Sequence, residues 1–386
     1  MDEADVAPTA LLVVAGRRNG PRIDYQLMLG KRPYEVYFAC DRVALANDGE
    51  AALSMLALAA MKMGQALQVS ERVSPRFVDN QRELMRVFRG WFPSYAQVDI
   101  HCERPGESGE PRGERVGCFF TGGVDSFFTW LRHRDEITDL VFVHGYDVDL
   151  DDLLRRAQVS AMGRAIEEAT GVRFIELETN SIRLFRDFGR WGLHAHGYGL
   201  GSAARHLAGY LGRIYVPSSF ATEYMRPWGT HPQTDPLFSD ERLDVCHGDA
   251  LMRVDKIGEI AEDPLAMRYL RVCHERVEGT YNCARCEKCL RTMTVMQGLG
   301  VLHRCATFPP EVDPRWVLDL TLDEVTVGLA RLNLEFLEAH GQGATPLAKA
   351  WSDLLARPAW QNAVVKRLRK WKGRLHKKLR KRGLLR

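Results

Sequence analysis

A chain of 386 residues, 45% of them hydrophobic, is long enough to bury a full core and to build more than one domain. No apolar run approaches the ~20 residues needed to cross a bilayer, and the opening Met1-Asp2-Glu3-Ala4-Asp5 is acidic where a secretory signal is basic. These features predict a cytoplasmic protein without a membrane span. The formal charge of +3 is unevenly spread, because Lys366–Arg386 holds twelve Lys and Arg and no acid. The residues before it carry 41 basic against 50 acidic side chains. A basic tail on an acidic body is read either as a solvated, partly helical extension or as a surface for phosphate, on nucleic acid such as RNA or on an anionic lipid surface.

Three regions are expected: 1–112, an N-terminal α+β region of unassigned role; 113–304, an α/β domain; and 305–386, a helical region ending in the basic tail. In the first, Ala10–Ala15 is an apolar run and Ala51–Gln68 reads as a helix rich in Ala, Leu and Met. The stretch Glu103–Gly113 is polar and full of Gly and Pro, the composition of a linker.

From Arg115 onward short apolar runs alternate with helical segments. Val116–Phe120, Leu140–His144, Val172–Leu177 and Arg213–Pro217 read as strands. Helices are expected from about Ser126 to Arg134, over Leu153–Thr170 and around Ser202–Leu211. That alternation implies crossover connections and a parallel, doubly wound sheet, whose ligands lie at the carboxyl ends of the strands. Beyond Arg304, Leu318–Ala339 and the segment from Pro346 read as helices.

The first strand of the series is followed at once by Thr121-Gly122-Gly123-Val124-Asp125-Ser126. Paired glycines let the backbone turn tightly so that its N–H groups converge, and the helix that follows adds the positive end of its dipole. Thr121 and Ser126 offer hydroxyls to phosphate oxygens, and Asp125 offers a carboxylate to Mg²⁺. Walker-type and dinucleotide spacings are both absent.

Further along, Cys273, Cys283, Cys286 and Cys289 fall as C-x9-C-x2-C-x2-C, while Cys40, Cys102, Cys118, Cys246 and Cys305 are scattered. A two-residue gap lets two thiolates converge on one ion. Four of them favour tetrahedral zinc, with an iron–sulfur cluster as the rival, and leave no open coordination position, so the metal is expected to be structural.

The Pro- and Gly-rich stretch Pro217–Leu237 holds Arg226, Trp228, His231 and Asp235. Either it binds substrate, with Arg226 clamping a carboxylate and His231 serving as acid or base, or its Pro and Trp rigidify a long connection. His194 and His196 read as ordinary loop histidines. Arg253 and Lys256 precede the cysteines and are candidates to reach phosphate.

The loop Thr121–Ser126 resembles the Ser-Gly-Gly-x-Asp-Ser pyrophosphate loop of the N-type ATP pyrophosphatase superfamily, with Thr121 for the usual Ser. Together with the ending Cys-x2-Cys-x2-Cys-Leu-Arg, it is similar to 7-cyano-7-deazaguanine synthase and its ExsB-like relatives over about residues 115–300. The resemblance implies an adenylating ligase that binds ATP, Mg²⁺ and Zn²⁺, with ATP held by Thr121, Gly122, Gly123, Val124, Asp125, Ser126 and His144. Asp125, Ser126 and Lys256 would then be catalytic, the acceptor a small-molecule carboxylate or carbonyl, and ammonia a candidate nucleophile. The residues before 113 and after 304, and the stretch Pro217–Leu237, lie outside the similarity, which points to an acceptor other than the synthase's own. The alternatives are a tRNA-modifying pyrophosphatase gripping RNA through the tail, and a non-catalytic ATP-binding zinc protein.

Overall fold

The computed structural model describes residues 10–106, 111–273, 275, 280–358, 360–362 and 367. Its contacts divide the chain into two compact units, Met1–Thr121 with Asp125–Arg253 and Gly122–Val124 with Val254–Arg386.

The first unit is α/β and contains two sheets. The smaller is parallel, in the order β1 (Leu11–Val13), β5 (Leu67–Val73), β6 (Ile100–Pro105). The larger has eight strands and is mixed. Its antiparallel part is β2 (Arg17–Asn19), β3 (Arg22–Leu29) and β4 (Arg32–Ala39). Gly20 and Gly30 sit in the two connecting turns at φ of 59° and 60°, the left-handed region that tight hairpins require. Burial alternates along β3, so one face enters the core. Its parallel part is β7 (Arg115–Phe119), β8 (Asp139–His144), β9 (Arg173–Thr179), β10 (Leu211–Val216) and β11 (Asp244–His247). β4 joins the two parts by pairing antiparallel with β9, and the order across the sheet is β11-β10-β7-β8-β9-β4-β3-β2.

The wholly parallel sheet expected from the sequence is therefore corrected to a mixed one. The strands of the N-terminal region complete it, because β9 would otherwise present an unpaired edge.

Two helices of this region explain the boundaries. α1 (Gly49–Met63) is buried from Gly49 through Met61, as a helix apolar on all sides must be. Asp48 caps it by accepting the Ala51 N–H, and Gly64 ends it at φ 67°. The helix expected over Ala51–Gln68 thus stops five residues early, and Leu67 already belongs to β5. α2 (Pro75–Trp91) starts with Ser74 capping Phe77 and buries Phe77, Leu84, Met85 and Phe88 at helical spacing. Of the expected linker Glu103–Gly113, Glu103, Arg104 and Pro105 end strand β6, and 107–110 lie outside the described residues.

The remaining helices are α3 (Val124–Arg132), α4 (Leu153–Thr170), α5 (Ile182–Phe188) and α6 (His196–His206). A single π-turn, Trp191–Ala195, leads into α6, which runs from His196 to His206 rather than over the expected Ser202–Leu211. After β10 come three-ten turns at Thr222–Tyr224 and Asp235–Phe238.

The second unit is helical: α7 (Arg253–Ile260), α8 (Pro264–Tyr269), α9 (Glu287–Gly298), α10 (Pro314–Leu318), α11 (Glu324–Ala339) and α12 (Pro346–Leu355). α12 packs on α10 and α11, and the indole N–H of its buried Trp351 donates to Thr294 Oγ1 on α9 at 3.0 Å. Among the described residues no helix is long and apolar enough to cross a membrane. The basic segment Lys366–Arg386 lies outside the described residues except for Arg367.

Candidate metal centre and candidate phosphate loop

In the second unit the four clustered cysteines converge. The Sγ atoms of Cys273, Cys283, Cys286 and Cys289 all lie within 4.8 Å of one another. Two of the separations, Cys273–Cys286 and Cys283–Cys289, are 3.9 Å. That is far beyond an S–S bond and close to the ~3.8 Å edge of a sulfur tetrahedron around zinc at Zn–S of ~2.3 Å. The donor set can hold a metal ion such as zinc.

The local backbone is built for this arrangement. Ala284 takes φ 56°, the sole described residue other than glycine in the left-handed region, so the chain turns back inside Cys283–Cys286. The turn aims the N–H groups of Arg285 and Cys286 at Cys283 Sγ, at 3.4 and 3.2 Å. The shared thiol hydrogen bonds lower the Cys273 and Cys283 thiols and raise those of Cys286 and Cys289, so negative charge gathers on part of the set. Asn282 fixes the first ligand from outside: its Oδ1 accepts the N–H groups of Val272 and Cys273, and its Nδ2 donates to the Leu270 carbonyl and Thr307 Oγ1. The Arg285 guanidinium covers the Trp316 ring at 3.9 Å. Asn282 and Thr307 carry no motif, and nothing in the cysteine spacing points to them.

Thr121–Ser126 leaves β7, on either side of which lie β8 and β10, so the strand order reverses at this strand. Gly122 stands at φ 73°, a conformation that a side chain would strain. α3 begins two residues later. The Thr121 N–H donates to Ser126 Oγ at 3.3 Å, which closes the loop over the first turn of that helix. Arg253 Nη1 stands 3.4 Å from Asp125 Oδ2, so the cation expected near the phosphate loop pairs with the loop's own carboxylate. Lys256 is buried on α7 in the second unit. The Arg271 N–H there donates to the Gly122 carbonyl at 2.7 Å, and burial pushes the Arg271 guanidinium down to about 10.

His144 ends β8 and is 2% exposed, as buried as Ser126 of the loop at 3%. Its Nε2 meets Glu176 Oε1 at 2.8 Å, and its Nδ1 is buried without a hydrogen-bond partner among the described residues. Glu176 also accepts from Ser160.

No family model, no curated protein and no solved structure matches the chain.

The loop after β10 rearranges the roles expected there. His231 Nδ1 accepts the Gln233 N–H, and its ring packs edge-on to Trp91 at 4.7 Å. Burial, then repulsion from His247, lowers its pKa, and it sits 7% exposed. Asp235 turns inward: it accepts the His231 N–H at 3.1 Å and pairs with His247 Nδ1 at 2.7 Å. Burial raises the Asp235 carboxyl against the pull of His247. The carboxylate holds the proton on Nδ1, so in the neutral ring His247 Nε2 is left as the acceptor. That Nε2 is buried and has no hydrogen-bond partner among the described residues. The carboxylate–histidine pair of this loop is thus Asp235–His247, with His247 contributed by β11, a strand absent from the sequence reading.

His194 also departs from an ordinary loop histidine. It lies in the π-turn, accepts the Arg190 N–H and packs among Phe92, Tyr95 and Phe88. His196 opens α6 beside Trp191 at 5.3 Å.

Proposed function

We propose that the chain is an ATP-dependent adenylating enzyme that binds the nucleotide's outer phosphates at Thr121–Ser126 and acts on a small-molecule carboxylate. The observation that carries this reading is the positive-φ Gly122 between β7 and α3, on the strand where the order of the sheet reverses. The carboxyl ends of parallel strands at such a reversal are where ligands of doubly wound sheets lie, and the five parallel strands β7–β11 are read as such a core. The sequence resemblance to N-type ATP pyrophosphatases supports the same assignment.

In the reaction a carboxylate oxygen of the acceptor attacks the α-phosphorus. The bond from that phosphorus to the bridging oxygen breaks, and pyrophosphate departs with the electron pair. A nucleophile bearing an N–H, ammonia or an amine, then attacks the acyl carbon; AMP leaves and the nitrogen's proton passes to a base. The loop amides and the hydroxyls of Thr121 and Ser126 stabilise charge on the departing pyrophosphate. Asp125 would receive Mg²⁺ accompanying ATP, and its pairing with Arg253 holds a cation beside the loop. His247, oriented by Asp235, fits the role of base. The four cysteines would hold zinc in a closed, structural site.

The test is carboxylate-dependent ATP–pyrophosphate exchange, screened over small organic acids. Asp125→Asn and Ser126→Ala are expected to lower exchange by about 100-fold each, the scale of losing one oriented group from a charge-stabilising site. Exchange that both variants leave unchanged overturns the loop assignment. RNA modification has no structural observation behind it, since the basic tail lies outside the described residues.

A further inference from the structure

Arg226 stands apart from the other arginines of the first unit's core. Its guanidinium carbon lies 4.7 Å from the centre of the Phe220 ring and 5.4 Å from that of Trp228, and the two rings meet edge-to-face at 5.5 Å. All three side chains are half-buried. Among the described residues no carboxylate or carbonyl partners this guanidinium, and its Nε is buried without an acceptor. Elsewhere in the unit buried arginines are matched to acids: Arg205 to Asp240 at 2.6 Å and Arg242 to Asp48 at 2.6 Å. A half-buried cation without a counter-ion gives up part of its hydration, and aromatic faces offset only part of that cost. With the ring centres only 5.5 Å apart, both rings lie on one side of the guanidinium, and its other side and its fork of N–H donors are the parts able to bind.

The surrounding loop holds this side chain in place. Thr222 N–H donates to the Ala250 carbonyl at 3.0 Å, and Met225 N–H closes the three-ten turn onto Thr222. Gly229 N–H donates to the Gly192 carbonyl at 3.1 Å. A Cβ on Gly192 would lie 3.0 Å from the Trp228 ring, and one on Gly197 would lie 1.8 Å from the Gly229 carbonyl oxygen. The π-turn and α6 therefore fix the backbone on which Trp228 is mounted. The loop leaves β10, which pairs directly with β7.

We propose that Arg226 is the carboxylate-binding residue of the acceptor subsite: the edge of its guanidinium, braced against Phe220 and Trp228, receives a planar carboxylate of a small organic acid in a two-pronged contact. This rests on the adenylation reading for what happens to the acid next, and on the cage alone for the binding. A fork meets a carboxylate with two parallel hydrogen bonds, whereas an ammonium acts as a point charge, so lysine is a poor substitute here.

The experiment is a titration of the full-length protein, in the absence of ATP, with benzoate, succinate and inorganic phosphate, followed by the ¹H–¹⁵N signal of the Arg226 Nε–H. Benzoate or succinate is expected to move that signal saturably. Arg226→Lys and Arg226→Met are expected to weaken carboxylate binding, read on the Trp228 indole N–H, by roughly five-fold and at least about ten-fold. Thermal melts of both variants check the fold; if the Met variant is unfolded, the Lys variant and the wild-type Nε–H still decide. No movement of the signal with either acid, or equal affinity in folded Arg226→Met, overturns the proposal. So does movement with phosphate alone, or displacement of the acid by ATP, which would give the cage to a nucleotide phosphate. Carboxylate binding at Arg226 without ATP–pyrophosphate exchange sinks the adenylation reading only. Exchange without contact at Arg226 sinks this inference only.

Discussion

His206 shows how burial turns a titratable side chain into a stability term. It is fully buried, stacks on Phe38 at 3.8 Å, donates from Nδ1 to the Ser202 carbonyl at 2.7 Å, and meets the Tyr25 hydroxyl at Nε2 at 3.0 Å. With Nδ1 donating and Nε2 accepting, the ring is neutral, and burial lowers its pKa from 6.5 to about 4. A lowered pKa on a base means that the unfolded chain takes the proton first. The contribution is therefore complete above pH 6.5 and declines as pH falls towards 4, reaching about 3 kcal/mol of lost stability. Urea melts of wild type and His206→Gln from pH 7 to pH 4 should converge by about that amount. Parallel curves would show that burial does not lower the His206 pKa. The cysteine ligands were legible in the sequence because their spacing is itself the geometry of convergence. His247 was not, since a lone histidine ending a four-residue strand has no local pattern, and its partner Asp235 stands twelve residues away. Arg226 lay between: its residue type and its loop were visible, but its missing counter-ion is a property of the fold.

At the scale of elements, periodicity found what local physics controls and missed what close packing imposes. Leu153–Thr170 was read at its observed limits because Asp152 caps it and Gly171, at φ 75°, ends it. α6 was misplaced by six residues at its start, since the run His196-Gly197-Tyr198-Gly199-Leu200-Gly201 argues against helix by propensity. The glycines are there because neighbours leave no room for side chains. A Cβ at Gly197 would stand 1.8 Å from the Gly229 carbonyl oxygen, and one at Gly201 would stand 2.3 Å from the Phe238 ring. Since a carbonyl in a pinned loop yields less than a side chain, Gly197→Ala is expected to cost about 3 kcal/mol despite alanine's better helix propensity. It should also displace Trp228 and weaken benzoate binding at Arg226. A Gly197→Ala protein as stable as wild type would mean that the loop is not held against α6. The phosphate-loop glycine separates the two ways a glycine can matter. Gly122 is required by its φ of 73°, so Gly122→Ala should strain the turn by about 1–2 kcal/mol and, on the adenylation reading, abolish exchange.

For the whole molecule the expected three regions meet an observed division into two compact units. The merger of the N-terminal strands with the parallel strands was invisible in sequence, because pairing β4 to β9 joins residues some 140 positions apart and leaves no periodic trace. The cysteine centre, by contrast, belongs wholly to the second unit, and its loss should be felt there. Four thiols brought within 4.8 Å repel as thiolates, a repulsion that a bound cation relieves and that the hydrogen bonds of Asn282 do not. A metal bound to the folded state alone stabilises it by mass action, and stripping it removes that term. Purified protein should carry one zinc per chain without visible absorption; an iron–sulfur cluster would declare itself by colour. Chelation, or Cys286→Ser, is expected to lower the melting temperature by about 10 °C and to speed amide exchange in described residues of 254–358. Exchange in β7–β11 should stay as it was. If the metal-free protein melts where the loaded one does, the four sulfurs are packed thiols rather than a structural centre, and the closest parallel to the zinc-bearing pyrophosphatases falls away while the phosphate-loop reading stands on Gly122 alone.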